Sequence, residues 1–290
     1  MLVWAGLVVV AAAVAGGYLW HGGRLILLYQ PAEFVVIGGA AIGILIASTP
    51  MAVLHALVVQ LKRLMSAPPT KREYTDLLVM MYQLFRVAQS AGIMALEPHL
   101  DNPKESSIFS KYPKFLARHG SVAFLADSAR VIIVGGISPH DFDHLMYEDL
   151  EVRHRENLVP SATLTKVGDA LPGLGIVAAV LGVVITMQAI GGPVEEIGHK
   201  VGAALVGTFL GILLSYGFVQ PIAVIMEHRV SEEQNIDQAI KAGMLALHKG
   251  FAPAIAVEFA RRVIPEEVRP SFEETEQLCR DARTESQAAA

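Results

Sequence analysis

The stretch DALPGLGIVAAVLGVVITMQAI, residues 169–190, is the strongest structural signal in the sequence. After Asp169 it contains no ionisable side chain, and it is as long as the roughly 20 apolar residues that a helix needs to cross a bilayer. It also contains Pro172, which lacks a backbone N–H and disrupts helical hydrogen bonding. The sequence therefore predicts a membrane-spanning helix at 170–190 with a break near its start.

The rest of the chain shares this apolar character. Hydrophobic residues make up 53% and charged residues 18% of the sequence, and the mean hydropathy is +0.45. This composition excludes an ordinary soluble domain. Three further apolar runs are long enough to cross a membrane, at 2–20, 34–59 and 201–226. We therefore expect an all-α membrane protein with four transmembrane helices.

The basic residues predict how these helices are oriented. Of the 23 Lys and Arg residues, 13 lie between the second and third runs and eight follow the fourth, whereas only Arg24 and Lys200 lie in the two short connections. Basic residues accumulate on the cytoplasmic side of membrane helices, so both termini are expected to be cytoplasmic. The predicted organisation is a first hairpin (1–60), a cytoplasmic helical domain (61–168), a second hairpin (169–226) and a cytoplasmic helical tail (227–290).

The segments outside the membrane also have helical patterns. Apolar residues recur at helical spacing from Arg72 until Gly92, which is a typical helix stop. A second helix is expected at 121–136 and a third from Ser138-Pro139 onwards. Ser271 and Glu274 have the spacing of a capping box at the start of a tail helix. No alternation typical of strands is present.

Motifs for catalysis or metal binding are weak. The segment HDFDH, residues 140–144, has two histidines at i and i+4, but acidic residues are also favoured near a helix N-terminus. The sequence has no hydrolase, zinc-protease or phosphate-loop motif. We therefore expect neither an enzyme nor a metal or cofactor site.

Small residues recur on one face of the third and fourth runs. Gly207, Gly211 and Ser215 follow Ala203 at four-residue spacing, and Gly175 precedes Ala179 in the same way. Membrane helices associate closely through such faces. The spacing alone leaves open whether these helices pack within one chain or against helices of another protein.

Prolines and acids bear on ion transport. Pro172 and Pro221 lie near the cytoplasmic ends of two antiparallel helices, so both are expected in one layer of the membrane. They indicate either a polar, deformable ring or two incidental kinks. No acid is expected deep in a span, since Asp169 and Glu33 lie at run ends. Either no ion crosses, or a second protein supplies the carboxylate.

Four segments stand out: DALPGLGIVAAVLGVV, VGTFLGILLSYGFVQP, YQPAEFVVIGGAAIG and FAPAIAVEFARR followed by RPSF. Together they resemble the MotA family of flagellar motor stator proteins, within the MotA/TolQ/ExbB superfamily. The order and spacing agree over nearly the whole chain. The resemblance implies a subunit of the bacterial inner membrane that forms a ring of copies, thought to be five, around two MotB helices. MotB would bring the ion-carrying aspartate and a peptidoglycan anchor, and the rotor protein FliG would receive the torque. Membrane lipid is expected around the ring, and no nucleic acid is expected as a partner.

The resemblance also assigns roles to individual residues. The two functional prolines of the family fall on Pro172 and Pro221, and the polar residue of the ion pathway falls on Thr208. Sodium-driven members carry a threonine seven residues after the first proline, where this chain has Ala179, so protons are the expected ion. Helix packing is expected at Gly175, Ala203, Gly207 and Gly211.

The rotor contact departs from the family pattern. The rotor-facing glutamate falls on Glu97, but the position of the rotor-facing arginine is Gln89 in this chain. Arg86 lies three residues earlier, close to one helical turn, and could replace it. From the spacing alone, Arg86 and Glu97 could equally be solvated surface charges.

Two alternative functions remain open. An ExbB or TolQ type subunit would also surround a partner's carboxylate, but such chains have three spans. A secondary transporter would have a midplane substrate site and usually inverted repeats, and this sequence shows neither.

Overall fold

A computed structural model describes residues 2–188 and 190–288, and these residues form helices joined by short loops, with no β-strand among them. Separate 3₁₀ turns and one π-helical segment complete the structure. The helices are α1 (Leu2–Trp20), α2 (Pro31–Ser48), α3 (Met51–Arg63), α4 (Lys71–Ala91), α5 (Glu97–Asp101), α6 (Pro113–Leu116), α7 (His119–Val134), α8 (Pro139–Met187), α9 (Val194–Ile212), α10 (Gln220–His248), α11 (Pro253–Arg262) and α12 (Phe272–Ala288).

The chain divides into two units. Met1–Ser66 and Asn157–Arg229 form the first, here called the membrane unit. Ala67–Glu156 and Val230–Ala290 form the second, here called the helical unit. Their boundaries fall inside α8 and α10, so residues 157–168, which the sequence analysis assigned to the cytoplasmic domain, pack with the membrane unit.

Four helical regions in the described part of the chain are long and apolar enough to cross a membrane. They contain Val3–Trp20, Leu25–Ser48, Pro139–Met187 and Val194–His248. The predicted all-α class with four transmembrane helices is confirmed.

The second predicted span differs from the structure. The expected continuous helix at 34–59 ends at Ser48, and α3 begins at Met51. Pro50 causes this break, because a proline disfavours helical geometry at the residue before it. Thr49 accordingly has an extended backbone, with φ −128° and ψ 126°. The second membrane helix is therefore shorter than the apolar run suggested.

The proline positions differ as well. The predicted break at Pro172 is wrong, since α8 continues through both Pro160 and Pro172. The irregular part of the hairpin is instead the π-helical segment Leu213–Val219, which ends two residues before Pro221. A π-helical segment widens the turn, and it is often associated with function. Pro221 lies inside the helical region that runs without a break from Val194 to His248, so its missing N–H removes a possible backbone hydrogen bond there.

The helical unit is built around large buried side chains. Its core includes Tyr74, Phe85, Phe109, Phe124 and Phe142. Thr70 caps α4, and Gly92 ends it with a positive φ of 87°, as the sequence predicted. The predicted capping box is also confirmed, since Ser271 Oγ accepts from Glu274 N at 3.1 Å and Glu274 Oε2 accepts from Ser271 N at 3.3 Å.

Candidate ion pathway and rotor-facing surface

Helices α8 and α9 pack almost backbone to backbone. A Cβ placed on Gly175 would lie 2.8 Å from the carbonyl oxygen of Gly207 and 3.1 Å from Gly211 Cα. A Cβ on Gly211 would lie 2.6 Å from the carbonyl oxygen of Leu171. Neither site has room for a side chain, because the nearest atoms belong to the backbone of the facing helix. The glycines therefore bring the two helices into close contact within one chain.

The same seam continues towards the other end of α8. A Cβ on Gly182 would lie 2.7 Å from Ala204 Cβ, and one on Gly207 would lie 3.2 Å from Ala178 Cβ. Ala203, which the sequence analysis placed in the small-residue face, is only half-buried, and its neighbour Ala204 makes the close contact. The seam thus runs through Ala204, Gly207 and Gly211 on α9.

The two residues expected in the ion pathway lie beside this seam. Thr208 and Ala179 are each half-buried, and each is next in sequence to a buried seam residue. Thr208 Cα would lie 3.3 Å from a Cβ on Gly175. Of these two residues, only Thr208 has a side-chain oxygen, its hydroxyl.

Residues next to the two prolines also meet. Gly168 lies four residues before Pro172, and a Cβ there would be 3.1 Å from Gln220 Cγ. The amide of Gln220 donates to Asp169 Oδ1 at 2.8 Å. Gln220 immediately precedes Pro221, so one polar contact joins the segments that carry both prolines. Pro172 itself is half-buried and Pro221 is exposed.

A second polar group lies in the π-helical segment. Ser215 is fully buried, and its hydroxyl has no hydrogen-bond partner among the described residues. By contrast, the buried Thr186 hydroxyl donates to the Gly182 carbonyl at 2.8 Å within α8. The sequence analysis treated Ser215 as a small packing residue, because the π-helical geometry is not visible in the pattern.

The membrane unit also buries a carboxyl group. Glu33 is only 9% exposed, and its Oε2 atom has no hydrogen-bond partner in the described part of the chain. Glu33 is the third residue of α2, at the run end where the sequence placed it, but its burial was not expected. Sequence position placed Glu33 at a run end, and only the packing of α2 on α9 reveals its burial.

The residues expected to face the rotor lie on the helical unit. Glu97 begins α5 and Gln89 lies in the last turn of α4, and both are exposed. Arg86 is half-buried, and its Nη1 atom is buried without a hydrogen-bond partner among the described residues. Arg86 is therefore only partly exposed to solvent, whereas the sequence spacing alone also allowed a fully solvated surface charge.

Neighbouring polar contacts hold this surface together. Arg130 on α7 reaches Asp101 on α5 at 3.0 Å and donates to the carbonyl of Leu100 at 3.3 Å. His99 contacts Ser106 Oγ through Nδ1 at 2.8 Å, and burial lowers the pKa of His99. Arg130 was missed in the sequence, where nothing distinguishes it from other surface arginines.

The HDFDH segment has packing and capping contacts. Ser138 Oγ accepts from Asp141 N at 3.1 Å, which caps α8, and Phe142 packs edge-on against His248 at 5.1 Å. Asp143 pairs with Lys241 at 3.0 Å. Among the described residues, no three histidine, cysteine or acidic side chains form a group that could hold a metal ion.

These features define a membrane protein with four apolar helical regions and a close-packed inner helix pair next to polar groups. Two family models match the chain: Motility protein A N-terminal over residues 4–92, and the MotA/TolQ/ExbB proton channel family over residues 116–238. The chain is 41% identical over 288 residues to Motility protein A of Salmonella typhimurium, covering 99% of this chain and 98% of that protein. The chain belongs to the motility protein A family.

Further relatives agree with this assignment. Chemotaxis protein LafT of Vibrio parahaemolyticus is 36% identical, covering 93% of this chain and 95% of that protein. The fold also matches the structure of C. jejuni MotAB, with a TM-score of 0.74, 17% identity, and coverage of 93% of this chain and 98% of that one. The flagellar MotAB stator complex from Bacillus subtilis matches with a TM-score of 0.70 and 21% identity, covering 92% and 96% of the two chains.

Proposed function

We propose that this chain is a stator subunit of the bacterial flagellar motor, which conducts ions together with MotB and converts the ion-motive force into torque. The observation that carries this proposal is the 41% identity to Motility protein A over 99% of the chain. The MotA-specific N-terminal model favours this function over an ExbB or TolQ type subunit. No observation in the described residues favours a secondary transporter.

The orientation follows from the distribution of charge. Because 13 of the 23 basic residues lie between the second and third apolar runs and eight follow the fourth, we place the helical unit and both termini in the cytoplasm. The last turn of α3 carries Lys62 and Arg63, which suit the cytoplasmic surface of the inner membrane.

Exposed apolar surface supports assembly with further helices. In the isolated chain, Ile176, Val177, Val180 and Val184 on α8 are each at least half exposed. This surface lies on the helix that also carries Pro172 and Ala179. We place neighbouring copies and the MotB helices against it, in a ring of five chains, and assign the lipid contact to α1, most of whose described residues are exposed in the isolated chain.

The ion pathway is proposed along this inner surface. Thr208 supplies a hydroxyl there, and the contact of Asp169 with Gln220 gives polar groups between the proline segments. Alanines at positions 178 and 179 provide no side-chain oxygen to replace the water of a sodium ion. An apolar wall raises the cost of holding a partly dehydrated cation, so protonation of the partner's carboxylate is favoured. We therefore propose protons as the transported ion.

The torque contact is proposed on the helical unit. Glu97 is exposed beside the α4 end that carries Gln89 and Arg86, and this surface would meet charged side chains of FliG. The basic partner on this surface is assigned to Arg86, with Arg130 fixing α5 against α7.

Complementation tests the proposed function. A strain without its own MotA should swim when it expresses this chain with its cognate MotB, and the purified chain should retain that single-span partner. A chain that assembles in the membrane but neither restores swimming nor retains MotB would refute the stator function. Retention of an envelope-energising partner instead would support the ExbB or TolQ type.

Swimming speed identifies the ion. At constant pH and membrane potential, speed should not change as sodium is removed. Speed that vanishes without sodium and recovers when sodium is restored would show that the proton assignment is wrong.

A further inference from the structure

Glu33 occupies space that a side chain on α9 would otherwise fill. A Cβ placed on Gly207 would lie 2.6 Å from Glu33 Oε2 and 3.2 Å from its Cδ. Glycine at position 207 therefore serves two contacts, one with Ala178 on α8 and one with the carboxyl group of Glu33. The Oε2 side of the carboxyl is therefore packed directly against α9.

The carboxyl lies well inside the helix bundle, although Glu33 is only the third residue of α2. Gly207 is 13 residues after Val194, the first residue of α9, which corresponds to about 20 Å of helix rise. Ala178 is nine residues before Met187, where α8 ends, or roughly 14 Å. The chain that enters α2 must therefore reach inwards, and Leu28 in the preceding 3₁₀ turn indeed packs on the membrane-unit core.

No basic group is paired with this carboxyl in the described part of the chain. The region of α8 from 170 to 187 has no ionisable side chain. Lys200 pairs with Glu196 at 2.8 Å, and His21 bonds to the Gly17 carbonyl at 2.9 Å. The titratable and charged groups on the elements packed around Glu33 lie towards the helix ends; they are Tyr18, His21, Arg24, Tyr29, Glu195, Glu196, His199 and Lys200.

An unpaired carboxylate in such surroundings is costly, and ionisable groups inside a membrane are retained mostly for function. The α2 N-terminus offsets part of the cost, because its backbone N–H groups favour a negative charge. The apolar surroundings disfavour the charged carboxylate, whereas the α2 N-terminus favours it. The carboxyl can therefore exchange a proton without a large change in packing. Thr208 is the next residue after Gly207, so the expected pathway hydroxyl lies within one residue rise of the same level.

We propose that Glu33 is a proton-binding site of this chain, inside the membrane unit, through which protons pass on their way to the partner's carboxylate. This rests on the proposed stator function and orientation. The step is a simple exchange, in which the carboxylate takes one proton from the outer side and releases it to water or hydroxyl groups at the level of Thr208.

Infrared titration of the purified complex with MotB tests proton binding without depending on torque. Glu33→Gln should remove one carboxylic acid C=O band from the difference spectrum between acidic and alkaline pH. Glu195→Gln, which changes an exposed acid at the start of α9, should leave that band in place. Identical spectra for wild type and Glu33→Gln would overturn the proposal.

Proton flux tests the transport role. In proteoliposomes, flux per assembled complex should be mostly lost in Glu33→Gln and retained in Glu195→Gln. Normal flux in an assembled Glu33→Gln complex would overturn the transport role, whatever the infrared result. If Glu33→Gln does not assemble, Glu33→Asp provides the second test, because it keeps an acid at this position. A Glu33→Asp complex should assemble, conduct protons and show the carboxylic acid band. An assembled Glu33→Asp complex that lacks either proton conduction or the band would count against the proposal.

A glycine pair provides an independent arm. Gly207→Ala places a methyl group on the carboxyl site, so it should shift the Glu33 band and reduce flux. Gly202→Ala, where a Cβ meets nothing within 4 Å, should change neither. If the chain fails to retain MotB or restore swimming, the stator function is wrong, and the same infrared titration of the purified chain without MotB then decides whether Glu33 binds a proton.

Discussion

The two units of this chain are stabilised by opposite kinds of residue. Among the residues that the structure describes, the twelve largest fully buried side chains include only one from the membrane unit, Ile37. The helical unit buries aromatic rings, whereas the membrane unit depends on Gly175, Gly207 and Gly211. Burying apolar area stabilises a fold in water, but lipid is as apolar as the core, so close contact stabilises helix packing there.

The largest effect is expected in the core of the helical unit. Phe109 is fully buried and stacks on Phe115 at 6.1 Å. Phe109→Ala should lower the free energy of unfolding of this unit by about 3–5 kcal/mol, through lost burial and a cavity. Phe272→Ala, at a ring that is 53% exposed, should change it by less than about 0.5 kcal/mol. Equal effects in a denaturant titration of the detergent-solubilised protein would contradict this account of the core.

In the membrane unit, enlarging a residue rather than truncating one should lower stability. Gly211→Ala would set a methyl group against the backbone of α8, 2.6 Å from the Leu171 carbonyl oxygen, and should cost about 1–3 kcal/mol. Gly202→Ala has open space and should be neutral or stabilising by up to roughly 1 kcal/mol, because alanine favours helix. Thermal unfolding in detergent gives the sign of each. Two stabilised variants would show that the seam is looser than the structure indicates.

This difference also explains what the sequence could predict. Apolar runs fixed the class and the four spans, because length and hydropathy are local properties. The spacing of small residues selected Gly207, Gly211 and Ala203. In the structure Ala204 makes the close contact instead of Ala203, because the facing helix decides which of two adjacent residues lies at the contact. The predicted break at Pro172 was wrong, since a proline in the sequence does not show whether the helix continues past it.

The candidate site shows the same limit. Pro172, Thr208 and Glu97 were located through family resemblance, and their roles stay predictions. Glu33 was read as a terminal residue, since its burial depends on the packing of α2 on α9. The Ser215 hydroxyl was overlooked because a π-helical segment leaves no periodic signal.

Acid should weaken the helical unit partly through α11. Hydrogen bonds from Arg261, at 2.7 and 2.8 Å, and from Arg262 hold the pKa of Glu258 below its ordinary value of 4.5. A depressed pKa in the folded state gives stability that is complete above the ordinary value and is lost as pH falls through the folded-state value. Glu258→Gln should cost about 1 kcal/mol at neutral pH and flatten the acid limb of the stability profile. Glu266→Gln, at an exposed position, is the control; an unchanged acid limb in Glu258→Gln would exclude this ion pair as a source.

The smallest energetic effect is expected at the exposed edge of the helical unit, where function rather than stability should change. Glu97 is exposed, so Glu97→Lys should alter the free energy of unfolding by no more than about 1 kcal/mol, as is typical of surface charges. Swimming speed should nevertheless fall, because the charge proposed to meet the rotor is reversed, while Glu105→Lys, at another exposed acid, should swim normally. Arg86→Gln should also slow swimming, and adding Gln89→Arg should restore it if the two positions can supply the same cation. Normal swimming in both Glu97→Lys and Arg86→Gln, at unchanged levels of assembled complex, would exclude this surface as the torque contact.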